Sequence, residues 1–221
     1  MSLTATMTLA EIAVARPGAT RAFRRRGLDF CCHGRRPLSE ACQERGLDPA
    51  EVIAEVAREI APEELATDWT SAPLEALVQH IVTRYHESLR RQLPEVIQLA
   101  HTVETVHAAH ERCPEGLTDL LRRVHGAVQE HLAKEETILF PMILAGKGAY
   151  ASGPINVMEM EHEDHGQNLA RLRAMTDGFV APPDTCTTWK ALCASLDRLE
   201  RELMDHIHLE NNVLFPRALC E

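Results

Sequence analysis

Beyond residue 73 four stretches repeat apolar residues at helical spacing, and each carries polar side chains at positions that should face inward. The first runs from residue 73 to about 107, with Val78, Val82, His86, Leu89 and Leu93 on one face. Pro94 lies in its interior, where a kink is expected. The second follows the turn at 114–116 and extends to about 145, with Val124, Val128, His131, Glu135, Ile138 and Met142 in phase. After a loop at 146–153, the third carries Ile155, Met158, His162, His165, Leu169 and Leu172. The fourth follows Pro182, Pro183 and Asp184 and carries Leu199, Leu203, His206, Glu210 and Leu214. Four long helices joined by short connections predict an up-down-up-down bundle.

Shorter patterns precede it. Thr8 with Glu11 predicts a capping box for a helix that Pro17 and Gly18 end. A second helix is expected over 19–26, stopped by Gly27, and a third over 37–45, stopped by Gly46. Asp48, Pro49 and Glu51 open a fourth. The expected organisation is therefore all-α: a small N-terminal helical module over 1–61, a linker over 62–72 and the bundle over 73–221. Only 4% of the chain is aromatic, and strand-like alternation is missing.

Up to residue 62 there are nine Lys or Arg against eight acids, and beyond it fourteen against twenty-five. The net charge of −10 argues against nucleic acid or an anionic membrane surface as a partner. The longest apolar run, 138–145, is broken by Pro141 and falls well short of the roughly 20 residues a bilayer needs. No signal-peptide pattern opens the chain, and seven cysteines show no framework of even spacing. Reduced thiols and a cytoplasmic location are expected.

The chemistry is concentrated in a string written twice. His131, Glu135 and Leu-Phe-Pro ending at Pro141 recur as His206, Glu210 and Leu-Phe-Pro ending at Pro216. A histidine also precedes each copy at nearly the same distance, His86 before His131 and His162 before His206. Residues four apart share a helical face, so each half is a hairpin with one histidine on its first helix and a His/Glu pair on its second. Folding the halves together converges His86, His131, Glu135, His162, His206 and Glu210. Buried carboxylates are costly unless paired or metal-bound. Four imidazoles and two carboxylates suit two iron ions, with bridging glutamates and an open position for a small ligand. Zinc fits less well, and manganese stays open. Each hairpin is expected to supply one ion's histidines, His86 with His131 and His162 with His206, and Leu-Phe-Pro to pack and end its helix.

The remaining histidines are expected to be ordinary. His165 should be a hydrogen-bonded core residue; His80, His125 and His208 surface or supporting groups; His101 and His110 solvated; and the His107/Glu111 pair coincidental. Glu161 is expected to be exposed. Glu159 and His162 also fit the Glu-x-x-His spacing of carboxylate-rich di-iron proteins, but Glu104 with His107, the other such pair, has no place in the repeat. Cys31 and Cys32, being adjacent, bond to each other only with strain and are better placed to act separately on a metal or a partner's disulfide. Arg24, Arg25, Arg26, Arg35 and Arg36 are expected to lower their pKa values.

Asp29-Phe30-Cys31-Cys32-His33-Gly34 resembles the signature of the small N-terminal domain of the Repair of Iron Centres family. The bundle is similar to that family's hemerythrin-like domain at Trp69-x-x-Ala72-Pro73-Leu74, Arg84-Tyr85-His86, Glu136-x-Ile138-Leu139-Phe140-Pro141-Met142 and Leu203-Met204-Asp205-His206 through Phe215-Pro216-Arg217. The resemblance implies a bacterial cytoplasmic protein with an oxo- or hydroxo-bridged di-iron centre that restores iron–sulfur clusters damaged by nitric oxide or oxidative stress. The implied ligands are the same six residues, and the family's cysteine pair falls on Cys31 and Cys32. Damaged iron–sulfur proteins and nitric oxide or another diatomic are the implied partners, and a homodimer is carried as an expectation. Reduction of nitric oxide to nitrous oxide would be a separate activity. Alternatives are an oxygen- or nitric-oxide-binding sensor and a ferroxidase.

Overall fold

The computed structural model describes residues 3–59 and 67–220, and these form helices without a β-strand. Residues 62–66 of the expected linker, with 60 and 61 before them, lie outside the described residues. Four short helices come first: α1 (Leu9–Ala15), α2 (Ala19–Arg25), α3 (Leu38–Arg45) and α4 (Pro49–Arg58). Their ends follow local chemistry. Thr8 and Glu11 close the capping box on α1, Asp48 accepts the Ala50 N–H at 2.8 Å to cap α4, and Gly46 ends α3 with a φ of 65°.

The bundle helices are longer. Helix α5 joins Leu74–His80, a π turn at Ile81–His86 and Glu87–Val106; α6 joins Leu117–Lys134, a π turn at Glu135–Leu139 and Phe140–Leu144. Helix α7 is the uninterrupted Ser152–Met175, and α8 joins Thr187–Leu209, a π turn at Glu210–Leu214 and Phe215–Cys220. Pro94, where a kink is expected, falls within the continuous α-helical stretch Glu87–Val106, and the register change of α5 lies earlier, at Ile81–His86. Glu104, the acid of the other Glu-x-x-His pair, caps the start of α6 by accepting the Gly116 and Thr118 N–H groups.

Two apolar clusters sandwich a polar layer. The larger runs from Leu9, Ile12, Phe23 and Phe30 of the N-terminal module into Leu89, Leu93, Val128, Leu196 and Leu203 of the bundle. The module is thus docked through a continuous core. The smaller cluster, with Ile81, Tyr85, Phe140, Ile155, Leu214 and Phe215, closes the opposite side. The six repeat residues lie between them, each at most 1% exposed.

Candidate metal centre

Three of the four bundle helices change register at one of the six residues. The N–H groups of Glu87, Phe140 and Phe215 each donate to the carbonyl five residues back, on Val82, Glu135 and Glu210. In α6 and α8 the next residue is Pro141 or Pro216, which has no N–H to continue the α-helical ladder. Leu-Phe-Pro therefore marks a register slip, and the helices continue through it instead of ending there. The slip also moves the apolar stripe by one residue. Ile138, expected inside, is 52% exposed, whereas Leu139 is 1% exposed, and Ile143 replaces Met142 as the buried position.

The six side chains meet at one place, but the histidines pair across the hairpins. His86 Nε2 lies 3.1 Å from His206 Nε2, and His131 Nε2 lies 3.1 Å from His162 Nε2. The expected pairing of His86 with His131 and of His162 with His206 is therefore wrong: helical phase tells which face is buried, whereas bundle closure sets α5 against α8 and α6 against α7 at this layer. Each carboxylate spans both pairs. Glu135 puts one oxygen 3.4 Å from His86 Nε2 and the other 3.4 Å from His131 Nε2. Glu210 puts one oxygen 3.0 Å from His206 Nε2 and the other 3.1 Å from His162 Nε2. The donors form two four-residue groups, His86/Glu135/His206/Glu210 and His131/Glu135/His162/Glu210, which share both carboxylates.

A family model described as the hemerythrin HHE cation binding domain matches residues 77–218, well over half of the chain. The chain belongs to the hemerythrin HHE family. A second model, a domain of unknown function (DUF542), matches residues 5–59. The iron-sulfur cluster repair protein YtfE of Escherichia coli O8 (strain IAI1) is 46% identical over 212 residues, 96% of this chain and 96% of that protein. YtfE of Shigella boydii serotype 4 (strain Sb227) matches with the same identity and coverage.

In this hemerythrin-type bundle three of the four outer ring nitrogens have hydrogen-bond partners, and the residues around all four rings obey the same repeat. His86 Nδ1 bonds Glu136 at 2.7 Å and His162 Nδ1 bonds Asn211 Oδ1 at 2.8 Å; Glu136 and Asn211 each follow a central glutamate by one residue. His131 Nδ1 bonds Glu161 at 2.9 Å, while Tyr85 stacks on His206; Glu161 and Tyr85 each precede a central histidine by one. Glu161, expected to be exposed, supports His131 and also takes Lys134. The phenylalanines of the two Leu-Phe-Pro strings stack on His86 and His162.

These partners assign the protons. Asn211 Nδ2 donates to the Cys31 carbonyl at 3.0 Å, so its Oδ1 must face His162, and His162 Nδ1 must carry the hydrogen. Glu136 and Glu161 require the same of His86 and His131. His131 Nε2 and His162 Nε2 then face each other at 3.1 Å. At a metal–nitrogen distance of about 2.1 Å, two nitrogens on adjacent coordination positions stand about 3.0 Å apart, close to the spacing found. All four Glu135 and Glu210 oxygens are buried without an aligned hydrogen bond. The donor set fits cations.

Electrostatics point the same way. Burial, then the neighbouring His206, pushes His86 down to about 4, and burial with His162 pushes His131 well below its ordinary value. Both are neutral, ligand-competent imidazoles near pH 7. Burial and the nearby Glu210 raise Glu135 far above the usual carboxylate range. Burial also works to raise Glu210, but His206 and His162 hold it well below that range. Two carboxylates in one dry layer do not both ionise without compensating positive charge.

The other expectations fare unevenly. His165 is buried against the His131 ring, but among the described residues neither of its nitrogens has a hydrogen-bond partner. His208 is buried, bonds Asn212 at 2.8 Å and is pushed by burial to about 4. His80 stacks on Trp69, and half-buried His107 and His110 pack against Trp189. Glu159 points away from the centre and pairs with Arg35. Cys31 and Cys32 lie in a loop pressed onto the bundle, where Cys32 Sγ donates to the His162 carbonyl at 3.3 Å. The arginines are engaged by acids: Arg24 pairs with Asp197, Arg25 and Arg26 with Glu55, Arg35 with Glu159 and Arg36 with Glu44. The Cys31 thiol is instead raised by its bond to Cys32, by burial and by Asp29.

Proposed function

We propose that this chain is a di-iron protein that restores iron–sulfur clusters damaged by nitric oxide or oxidative stress. In this proposal His86, His206, His131 and His162 hold two irons in pairs, and Glu135 and Glu210 bridge them. The observation that carries it is the division of both carboxylates between the two histidine pairs, which provides for two ions in one layer. The YtfE relatives are named as iron–sulfur cluster repair proteins, and their likeness extends through the cysteine module, which favours repair over a bare oxygen or nitric oxide sensor.

Iron bound there would supply redox and Lewis-acid chemistry toward a diatomic such as nitric oxide. The protein's contribution is positional. Glu136, Glu161 and Asn211 fix three imidazoles with Nε2 inward, and the apolar clusters on either side exclude water. Damaged iron–sulfur proteins are the substrates, and the Cys31/Cys32 loop, resting on the helix of His162, is where a client or its iron would be handled. Protein purified without oxygen should contain two irons per chain, fewer in His131→Ala and His206→Ala, and should speed recovery of a cluster-dependent dehydratase after nitric oxide exposure. One zinc per chain, or recovery equal to that of cells without the protein, would overturn the proposal.

A further inference from the structure

The Asp29–Gly34 loop is built more tightly than a docking surface requires. Asp29 Oδ1 accepts the backbone N–H groups of Cys31 and Cys32 at 3.1 and 3.0 Å, and Asp29 Oδ2 bonds His33 Nδ1 at 2.7 Å. A Cβ on Gly34 would overlap the Phe30 carbonyl, so glycine allows this closure. The loop thereby holds one carboxylate and two thiols together, and a donor atom from each of Asp29, Cys31 and Cys32 lies within 4.8 Å of the others.

The spacing is chemically specific. Two thiolates at about 2.3 Å on a tetrahedral ion stand about 3.8 Å apart. Cys31 Sγ and Cys32 Sγ are 3.7 Å apart. A carboxylate oxygen at about 2.0–2.2 Å on the same ion would stand about 3.5–3.7 Å from each sulfur, and Asp29 Oδ1 is 3.3 Å from Cys31 Sγ. The histidine on the outer oxygen is the kind of group that orients a ligating carboxylate. Clefts of about 390 and 300 Å³, each lined by both cysteines, leave a fourth position accessible.

We propose that Asp29, Cys31 and Cys32 form a second metal site, separate from the His/Glu centre, that takes a single thiophilic divalent cation with one position open for exchange. Binding displaces the two thiol protons, M²⁺ plus two Cys–SH giving M(S–Cys)₂ plus two H⁺, so affinity rises with pH. Only the identity of the natural ion, Fe(II), rests on the repair function proposed above; the site itself rests on the donors. Its position suits a relay. Cys32 Sγ touches the His162 carbonyl, and Asn211 bridges the Cys31 carbonyl to the His162 ring, so the ion would sit one loop away from the di-iron ligands.

Cobalt(II) titration of the full chain tests this, because thiolate-to-cobalt charge transfer in the near ultraviolet is silent for a centre made only of imidazole and carboxylate. The expected result is a band saturating at one ion per chain, absent from Cys31→Ser/Cys32→Ser, present in Cys186→Ser, and at least about tenfold weaker in affinity in Asp29→Asn. A second readout guards against misfolding of the serine variant: zinc should slow alkylation of Cys31 and Cys32 in the unmodified protein at least about tenfold, read by peptide mass mapping. Absence of the band in the unmodified protein, its persistence in the double variant, or alkylation indifferent to zinc would overturn the site. Cluster recovery enters neither readout, so failure of the site and failure of the repair function are told apart.

Discussion

Asn211→Leu is the substitution with the most to say about how the two halves of the molecule communicate. Leucine keeps the branched outline of asparagine at a position only 9% exposed, but removes both ends of the bridge between the Cys31 carbonyl and His162 Nδ1. Two buried polar groups lose their partners, at about 1–3 kcal/mol each, so folding stability should fall by about 2–6 kcal/mol. The larger consequence concerns the ring. Without an acceptor at Nδ1, His162 is free to move its hydrogen to Nε2, the atom that faces His131. Loss of such a supporting bond weakens metal affinity about 10–100-fold, or about 1.4–2.8 kcal/mol. The loss should fall on the His131/His162 position, because the Glu136 bond to His86 is untouched. Chelator competition followed by iron analysis should show one ion released early and the other held nearly as in the unmodified protein. Asn211→Asp separates the two ends of the bridge: it keeps an acceptor for His162 but sets an oxygen against the Cys31 carbonyl, so iron should be retained while Cys32 alkylates faster. Release of both irons from Asn211→Leu at the unmodified rate would refute the assignment of Asn211 as the group that sets the His162 tautomer.

Three further outcomes follow from the same geometry. Removing metal should lower the melting temperature: an ion at 100 times its dissociation constant stabilises by about 2.7 kcal/mol, or about 5–10 °C for a domain of this size, and an unchanged melting curve would argue against a metal-dependent core. Gly34→Ala should loosen the Asp29–Gly34 loop and expose Cys31, which is 3% exposed, to alkylation, since the new methyl overlaps the Phe30 carbonyl; a thiol still as protected as before would contradict that packing. Cys186 should be the thiol most reactive toward iodoacetamide near pH 7. Its bond to His107 at 3.1 Å, with backbone donors at the start of α8, lowers it to about 7. Because the pKa is lowered, the thiolate forms as pH rises through 7 instead of 9. The rate should therefore be half-maximal near pH 7, and the midpoint should move upward in His107→Phe; a midpoint that stays put would remove His107 as the cause.

What could be read from the chain alone divides by physical range. Caps and stops are local, so Thr8 with Glu11, Asp48 with Pro49, and Gly46 announce the short helices to within a residue or so. The six central residues are legible because they are written twice, and a repeat carries information that a lone histidine does not. Neighbourhood across the bundle is another matter. An apolar stripe tells which face of α5 turns inward, but not that His86 will meet His206 before His131. The arginines near Cys31 and Cys32 misled for the same reason, since nearness in sequence did not reveal that Glu55, Glu44, Glu159 and Asp197 take them. Glu136, Asn211, Glu161 and Tyr85 could have been found: extending the repeat by one residue on either side of its ligands selects all four.

That extension also shows where the two halves stop being equivalent. Glu136 and Asn211 occupy matching positions, and each holds the outer nitrogen of the first histidine of its hairpin. Glu136 lies between His86 and Arg90. A carboxylate at 211 would face the Cys31 carbonyl with nothing to donate, whereas an amide accepts from His162 and donates to the loop in the same stroke. One residue later Asn212 also reaches the loop, but as a donor only: its Nδ2 faces both the Phe30 carbonyl and His208 Nδ1. The exchange of glutamate for asparagine in the second copy is therefore the physical mark of docking. One half of the bundle faces an arginine and keeps its acid; the other half faces the backbone of the cysteine loop and carries an amide. Among the described residues the hydrogen bonds from the cysteine loop to the centre run to His162, through Asn211 and through Cys32 Sγ, so chemistry coupled to the thiols should pass by that histidine.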